Sequence, residues 1–135
     1  NKGVAPVLIE KAASGGELSR VMLALQRLVS EKKQLPTVLF DEIDTGVSGE
    51  VAQKIGELLL KMGSNMQLMA ISHLPQVAAR AQHHLKVEKS STGESTFTNI
   101  RKLSKEESIE EVARLMSGER IDSAAIENAK VLMGL

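Results

Sequence analysis

The sequence has 135 residues, and its 17 Lys and Arg residues balance 17 Asp and Glu residues, so the formal net charge is zero. This balance excludes a domain whose affinity for nucleic acid or anionic lipid comes from a strong overall positive field. Phe40 and Phe97 are the only aromatic residues, which argues against a single-strand binding protein built on stacked rings. Because there is no cysteine, a disulfide scaffold, a thiolate zinc site and a cysteine nucleophile are excluded.

The length of the sequence predicts one domain, residues 1–135. No apolar run approaches the ~18–20 residues that a membrane span needs, so we expect no membrane partner. The sequence begins at Asn1 without a methionine, and we therefore expect it to be a piece of something longer.

The first predicted elements are a strand and a long helix. A short apolar run at 7–9 indicates the strand. The helix is predicted from apolar residues that recur every three or four positions, and this stripe is expected to be half-buried. It consists of Leu18, Val21, Met22, Leu25, Leu28 and Val29. Pro36 ends the segment, because proline cannot continue a helix.

Two further apolar runs flank a second helical stripe. Residues 37–40 and 67–72 lack polar alternation, and each run predicts a strand buried on both faces. The helix between them is expected to end at a Gly63 cap, and its stripe consists of Val51, Ile55, Leu58, Leu59 and Met62. Two strands joined by a helix form a βαβ unit, so we predict an α/β fold with a mostly parallel sheet flanked by helices.

The second half of the sequence predicts a terminal hairpin and two helices. Residues 85–88 and 97–100 flank the turn-rich stretch 90–93, which indicates a hairpin with one wet face. Ser104 and Glu107 form a capping-box pattern at the start of the next helix, which is expected to end at Gly118. The residues expected to line the two helices are Ile109, Val112, Ala113 and Met116, then Ala125, Ile126, Ala129, Leu132 and Met133.

Polar residues open the first long helix. Ser14, with Glu17 three positions later, fits a capping box, which is worth ~1 kcal/mol. Capping does not account for Gly15 and Gly16, which cost helix stability. A hydroxyl, bare backbone amides and a helix N-terminus also suit phosphate binding. The segment alone leaves both interpretations open, a cap and a phosphate contact.

An acidic pair, Asp41 and Glu42, follows the predicted strand 37–40 directly. The simpler interpretation is a solvated strand end. The functional interpretation gives each carboxylate its own role. Asp41 would hold Mg²⁺, which favours oxygen ligands and retains water. Glu42 would deprotonate an attacking water. An apolar strand followed by this pair matches the Mg²⁺ side of a P-loop NTPase.

Ser72 and His73 stand at the end of the next predicted strand, and Pro75 can start a helix. A lone histidine at a strand end is usually structural, but His73 could donate a hydrogen bond to the same terminal phosphate. The neighbouring pair His83 and His84 lacks acidic or cysteine partners, which makes it a poor metal site.

Taken in chain order, three segments resemble the head of an ABC-type ATPase. Residues 13–17 resemble its signature motif, 38–44 its Walker B strand and 71–73 its switch-histidine loop. Transporter heads usually have Pro-Thr where this sequence has Ile43 and Asp44. The Ile-Asp pair resembles the SMC-like ATPases of chromosome maintenance and break repair. The longer stretches 40–52 and 71–79 resemble the bacterial DNA-repair members of that family, and the resemblance runs from about Lys11 to the C-terminus.

Two features depart from the family pattern. The sequence contains no Gly-x-x-x-x-Gly-Lys-Ser/Thr phosphate loop and no sustained heptad run. The resemblance therefore implies the C-terminal lobe of a head, without the N-terminal lobe and the coiled coil. Ser48 stands where many ABC ATPases have the D-loop aspartate, so that residue's role is not carried over.

The resemblance also implies roles for the site residues. Two heads would sandwich two ATP molecules with Mg²⁺, and Ser14, Gly15, Gly16 and Glu17 would contact the partner's ATP in trans. Asp41 would be the Mg²⁺ ligand, Glu42 the base and His73 the γ-phosphate sensor of the protomer's own ATP. The D-loop joining the two sites would consist of Asp44, Thr45, Gly46, Val47 and Ser48.

The implied partners are the protein's own N-terminal head lobe, a second head in a homodimer, and DNA through the full-length protein. The implied function is an ATPase that controls DNA-end tethering in double-strand break repair and recombination, in the bacterial cytoplasm at the nucleoid. Without a phosphate loop the chain by itself is expected to be inactive. Two alternatives remain open: a subdomain of a transport ATPase, and a non-catalytic assembly module.

Overall fold

The computed structural model describes residues 15–41, 43–44, 46–92 and 95–135. The chain divides into two compact units, of which the first ends at Ser72 and the second begins at His73. The strand expected at 7–9 lies outside the described residues. None of the helices in the described ranges is long and apolar enough to cross a membrane.

The first unit contains a βαβ arrangement preceded by a helix. Helix α1 spans Gly15–Lys33, strand β1 Thr37–Phe40, helix α2 Gly49–Gly63 and strand β2 Gln67–Ala70. The two strands pair in parallel, with Thr37 opposite Gln67 and Phe40 opposite Ala70. Parallel strands need a crossover connection, which α2 supplies. The predicted βαβ unit and the α/β class are confirmed.

Helix α2 buries the predicted apolar face. Its buried side chains recur at three- and four-residue steps, which places them on one side of the helix: Ala52, Ile55, Leu59 and Met62. Gly63 is the last helical residue, and Ser64 follows as the C-cap with an ordinary right-handed backbone. The glycine cap predicted at Gly63 is therefore wrong, because the chain leaves this helix without a left-handed residue.

Neither strand is buried on both faces in the described structure. Phe40 is 1% exposed, whereas Leu39 is 60% exposed and its partner in register, Met69, is 43% exposed. The prediction of two strands buried on both faces is wrong, and the second strand ends at Ala70 rather than Ser72. A continuous apolar run favours burial on both faces, but burial also needs a second covering layer, and the Leu39 face remains exposed in the described part of this unit.

Helix α1 differs from its prediction in the same way. The stripe residues whose side chains are described, namely Met22, Leu25, Leu28 and Val29, are all exposed, and the buried residue is Leu23. The expectation of a half-buried stripe is therefore wrong for these residues. Periodicity shows that a helix has an apolar face, but whether that face is buried depends on what packs against it.

The second unit contains a short helix, a hairpin and two longer helices. Helix α3 spans Pro75–Ala78, strand β3 Leu85–Thr92, strand β4 Ser95–Lys102, helix α4 Lys105–Ser117 and helix α5 Ser123–Met133. The strands pair antiparallel, with Leu85 opposite Lys102 and Thr92 opposite Ser95. The predicted hairpin is confirmed, but its strands extend through part of the stretch expected to be a turn.

The charged face of the hairpin lies against α4. Lys86 Nζ is 2.6 Å from Glu111 Oε2, and Arg101 Nη1 is 2.7 Å from Glu107 Oε1. The opposite face carries the paired residues Val87 and Ile100, which are exposed. The hairpin therefore has one face against α4 and one face exposed to solvent, and the exposed face carries apolar side chains in the described structure.

Helices α4 and α5 form a core of small residues. Ser104 caps α4 with the predicted capping box, and Gly118 ends it in a positive-φ conformation. Asp122 caps α5 by accepting a hydrogen bond from Ala125 N at 2.8 Å. The buried core consists of Ala79, Val112, Ala113, Ala125 and Ala129. These agree with the predicted lining, except that Met116 is exposed.

Candidate functional site

The carboxyl end of β1 places an exposed carboxylate directly after a buried side chain. Phe40 anchors the end of the strand in the core, and Asp41 behind it is exposed. An exposed carboxylate at a strand end suits Mg²⁺, which binds through a few carboxylate oxygens and retains water. Glu42, the predicted base, lies outside the described residues.

The predicted D-loop is an inward-folded turn. Ile43, Asp44 and Val47 are buried, and Val47 N donates to the carbonyl oxygen of Asp44 at 3.1 Å. Gly46 has φ +70° and Gly49 has φ +57°, backbone conformations in which a side chain would be strained. Thr45 lies outside the described residues.

Ser48 stands at the N-cap of α2. It is exposed, and its side chain makes no capping hydrogen bond to the helix. Its extended backbone conformation, φ −155° and ψ 169°, is ordinary for an N-cap residue. The hydroxyl of Ser48 is therefore not engaged in capping the helix that it precedes.

A side-chain hydrogen bond joins the D-loop to the end of β2. Ser72 Oγ donates to Oδ2 of Asp44, and Asp44 is 2% exposed. The backbone pairing extends beside it, because Ile71 N donates to the carbonyl oxygen of Phe40 at 2.8 Å. The segments that follow β1 and β2 therefore leave the sheet together and are joined by a side-chain hydrogen bond.

His73 begins the second unit and is exposed. Leu74 is the N-cap of α3 and Pro75 its first residue, so the predicted helix start at this proline is confirmed. The expectation that His73 reaches the same phosphate as Asp41 stays a prediction.

His84 has a structural role in the second unit. Its Nε2 lies 2.9 Å from the carbonyl oxygen of Ala78; since a carbonyl can only accept, Nε2 carries the shared proton. Within the described ranges, no group of three or more His, Asp or Glu residues could hold a metal ion.

The predicted signature residues occupy the first turn of α1. Gly15, Gly16 and Glu17 are helical, and Ser14 lies outside the described residues. The first four amides of a helix have no carbonyl partner within it. The backbone of this turn has N–H groups that could face an anion, and the contact of this turn with a phosphate stays a prediction.

A cavity of about 470 Å³ lies at the other end of the sheet in this unit. Pro36 and Met66, which precede β1 and β2, line it with Arg27, Gln34, Leu35, Lys61, Met62 and Asn65. None of the predicted site residues is among them. The cavity is therefore distinct from the strand ends that carry Asp41 and Ser72.

The side-chain hydrogen bond from Ser72 to Asp44 was not predicted from the sequence. Asp44 was predicted as part of the D-loop and Ser72 as a neighbour of His73, without a contact between them. A signal was present, because Asp44 lies between Ile43 and Val47, and a carboxylate among apolar residues in a turn needs hydrogen-bond donors.

Comparison with known proteins identifies many similar sequences, although no protein-family model matches the chain. The chain is 47% identical over all 135 residues to DNA repair protein RecN of Rickettsia conorii, of which it covers 25%. It is 46% identical over 127 residues to RecN of Halalkalibacterium halodurans, covering 94% of this chain and 22% of that protein. The identity to RecN of Haemophilus influenzae is 41% over 135 residues, 100% of this chain and 24% of that protein.

Several solved structures share the fold, and two of them illustrate it. One comes from work on ATP-driven dimerization and DNA-stimulated activation of SMC ATPases; it superposes with a TM-score of 0.66 at 23% identity, over 87% of this chain and 70% of that one. The other, an Smc head domain with a coiled coil and joint from Pyrococcus yayanosii, gives 0.65 at 24% identity, over 78% of this chain and 20% of that one. The α/β architecture is thus that of an SMC head lobe.

The chain spans about a quarter of the length of the curated relatives it matches. The matched region is their C-terminal portion. Because its sequence is 41–47% identical to those of these relatives and its fold is that of an SMC head, the chain belongs to the RecN family of DNA repair proteins.

Proposed function

We propose that this chain is the C-terminal lobe of an ATPase head whose ATP hydrolysis controls DNA-end tethering in double-strand break repair. The observation that carries the proposal is the parallel register of β1 and β2, which brings Asp41 and Ser72 to one edge of the sheet. Ligands of open parallel sheets bind at that edge. In that head, residues 1–135 form one lobe as a single domain.

In the proposed reaction, Glu42 orients a water and accepts its proton. The water oxygen bonds to the γ-phosphorus as the bond from that phosphorus to the β–γ bridging oxygen breaks, which releases ADP and phosphate. His73 donates a hydrogen bond to the γ-phosphate, and Asp41 is the carboxylate on the Mg²⁺ side. The metal ion supplies neutralisation of the charge on the phosphate oxygens.

The first turn of α1 serves the ATP of the other protomer. Ser14, Gly15 and Gly16 contact its γ-phosphate through a hydroxyl and backbone N–H groups, and Glu17 stands beside them. The positive end of the helix favours a polyanion at this place. The segment from Asp44 to Gly49 joins this trans site to the protomer's own site. Each nucleotide therefore bridges two heads until its γ-phosphate is removed.

The partners follow from this arrangement. An N-terminal lobe supplies the phosphate loop, and the exposed apolar face with Leu39 and Met69 supports the packing of a further layer on β1 and β2. A second head completes the sites, and DNA binds through the full-length protein. The SMC relative studied for ATP-driven dimerization and DNA-stimulated activation supports both partners by analogy. We propose a bacterial cytoplasmic location at the nucleoid.

Other functions fit less well. A transport ATPase is disfavoured by Ile43 and Asp44, where transporter heads usually have Pro-Thr, and by the RecN relatives. A non-catalytic assembly module would need the N-terminal lobe for binding but not for chemistry. An ATPase assay of this chain with and without that lobe separates the module from the enzyme, because only the enzyme gains turnover.

The decisive variant is Glu42→Gln in the full-length protein. Gln keeps the shape of the side chain but cannot accept the proton, so turnover should fall ~10²-fold or more while ATP binding persists. Glu57→Gln, a change of an exposed carboxylate on α2, is the matched control and should hydrolyse ATP normally. Hydrolysis by Glu42→Gln within about twofold of wild type would remove Glu42 as the base, given the size of that effect.

A further inference from the structure

The buried carboxylate of Asp44 occupies an unusual place for a charged group. It is 2% exposed and lies in a turn whose apolar residues Ile43 and Val47 are also buried. Burying a carboxylate is costly unless hydrogen bonds satisfy it. A solvated loop would have no need to hold the side chain inside, so its inward position indicates a contact that matters to the surrounding structure.

Ser72, which lies two residues beyond the end of β2, supplies such a contact. Its hydroxyl donates to Oδ2 of Asp44, and Ser72 is partly buried. A backbone bond between the two chains is close by, from Ile71 N to the carbonyl oxygen of Phe40 at 2.8 Å. The side-chain bond therefore extends the coupling of the two strands beyond the end of the sheet, into the segments that carry the predicted chemistry.

We propose that Asp44 and Ser72 are positioning residues that hold the D-loop and the His73 segment in one arrangement within a protomer. Ser72 is bonded through the peptide chain to His73, and Asp44 opens the loop that, in the proposed function, joins the two ATP sites. A displacement of this loop is transmitted to the backbone next to His73 through the bond. This inference rests on the proposed function for the roles of the two segments, but the bond itself does not.

The first test measures hydrogen exchange of the nucleotide-free full-length protein. Ser72→Ala removes the donor and should raise deuterium uptake in both 43–47 and 71–74. Ser64→Ala is the matched control: its hydroxyl donates to the carbonyl oxygen of Lys61 at 2.8 Å, but at the end of α2, away from both segments. Exchange that rises evenly over the whole first unit, or in 71–74 alone, would overturn the proposal.

The second test measures ATP turnover of the same variants. Ser72→Ala should lower kcat about tenfold with KM within about twofold, because misplacing a reacting group affects the chemical step more than binding. Ser72→Thr keeps the hydroxyl and should restore both the exchange pattern and kcat. Should Ser72→Ala prove unstable, the comparison of Ser72→Thr with Ser72→Val, its shape-matched partner without a hydroxyl, decides the same question.

Different results would contradict the proposed function and the positioning role of Asp44 and Ser72. A normal kcat for Glu42→Gln removes the proposed function, whatever Ser72 does. A loss of turnover in Glu42→Gln together with a normal kcat in Ser72→Ala removes only the positioning role.

Discussion

The backbone N–H of Ile71 donates to the carbonyl oxygen of Phe40 at 2.8 Å, one residue beyond the end of β2. The pairing of the two parallel strands therefore continues to the point where both chains leave the sheet. Asp41 follows Phe40 directly, and Ser72 follows Ile71. This register is what makes the edge of the sheet a candidate for nucleotide chemistry, because it brings separate parts of the sequence together.

The chain alone should bind ATP weakly. It contains no Gly-x-x-x-x-Gly-Lys-Ser/Thr sequence, which in P-loop enzymes supplies the amides and the lysine that hold the phosphates. We expect a Kd in the millimolar range or weaker, on the order of 4 kcal/mol of binding free energy. Titration calorimetry with Mg-ATP measures this, and micromolar binding would contradict the assignment of the phosphate loop to another lobe.

The core of the second unit predicts that two valine-to-alanine substitutions change the free energy of unfolding by different amounts. Val112 is 0% exposed among the small residues of α4 and α5, whereas Val131 is 76% exposed. Val112→Ala removes two buried carbons and leaves a space, so it should lower the free energy of unfolding by about 2 kcal/mol. Val131→Ala should change it by less than about 0.5 kcal/mol. Urea unfolding tests this, and equal costs for both variants would contradict the described core.

Glu107 predicts a pH dependence of stability. The backbone N–H of Ser104 and the guanidinium of Arg101 both donate to its carboxylate, and they hold the pKa of Glu107 below its usual value of 4.5. A group with a lowered pKa stabilises the fold fully above the unfolded value, and this contribution is lost as pH falls through the lower folded value. Acid therefore weakens the cap of α4.

Glu107→Gln isolates that effect. Gln also fits a capping box but does not titrate, so the variant should lose less stability than wild type as the pH falls below 4.5. Unfolding measured at several pH values checks this. Parallel curves for the two proteins across the acid range would show that the ionised carboxylate of Glu107 does not stabilise this helix.

The sequence predicted local features well where the cause is local. The capping box of Ser104 and Glu107, the break at Gly118 and the helix start at Pro75 depend on a few adjacent residues, and all three are confirmed. The parallel pairing of β1 and β2 also follows from sequence, since two apolar runs joined by an amphipathic helix allow few other arrangements.

Burial was predicted less well because it depends on distant parts of the chain. Leu39 and Met69 were predicted to be core residues, yet they are exposed. The prediction failed because hydrophobic character shows which residues can be buried and not which part of the chain covers them. The bond between Ser72 and Asp44 joins residues 28 positions apart, and no local pattern fixes such a pairing. The site residues could be named from motifs, whereas their coupling required the structure.

In the proposed function each active site is shared between two heads, and such sharing predicts complementation between two inactive variants. Ser14→Arg in the full-length protein places a bulky cation where a small hydroxyl should meet the partner's γ-phosphate. This variant should load ATP but not hydrolyse it. Glu42→Gln should also be inactive, for lack of a base. Circular dichroism of Ser14→Arg controls for loss of the helix that this residue precedes.

A mixed dimer of the two variants contains one site with both defects and one with neither. The ATP held by the Ser14→Arg protomer meets an intact Ser14 from its partner and its own intact Glu42. ATPase activity measured after equimolar mixing should rise to at most about a quarter of wild type, since half of random dimers are mixed and each has one intact site of two. Mixed dimers with no more activity than the separate variants, or normal hydrolysis by Ser14→Arg alone, would contradict the shared site.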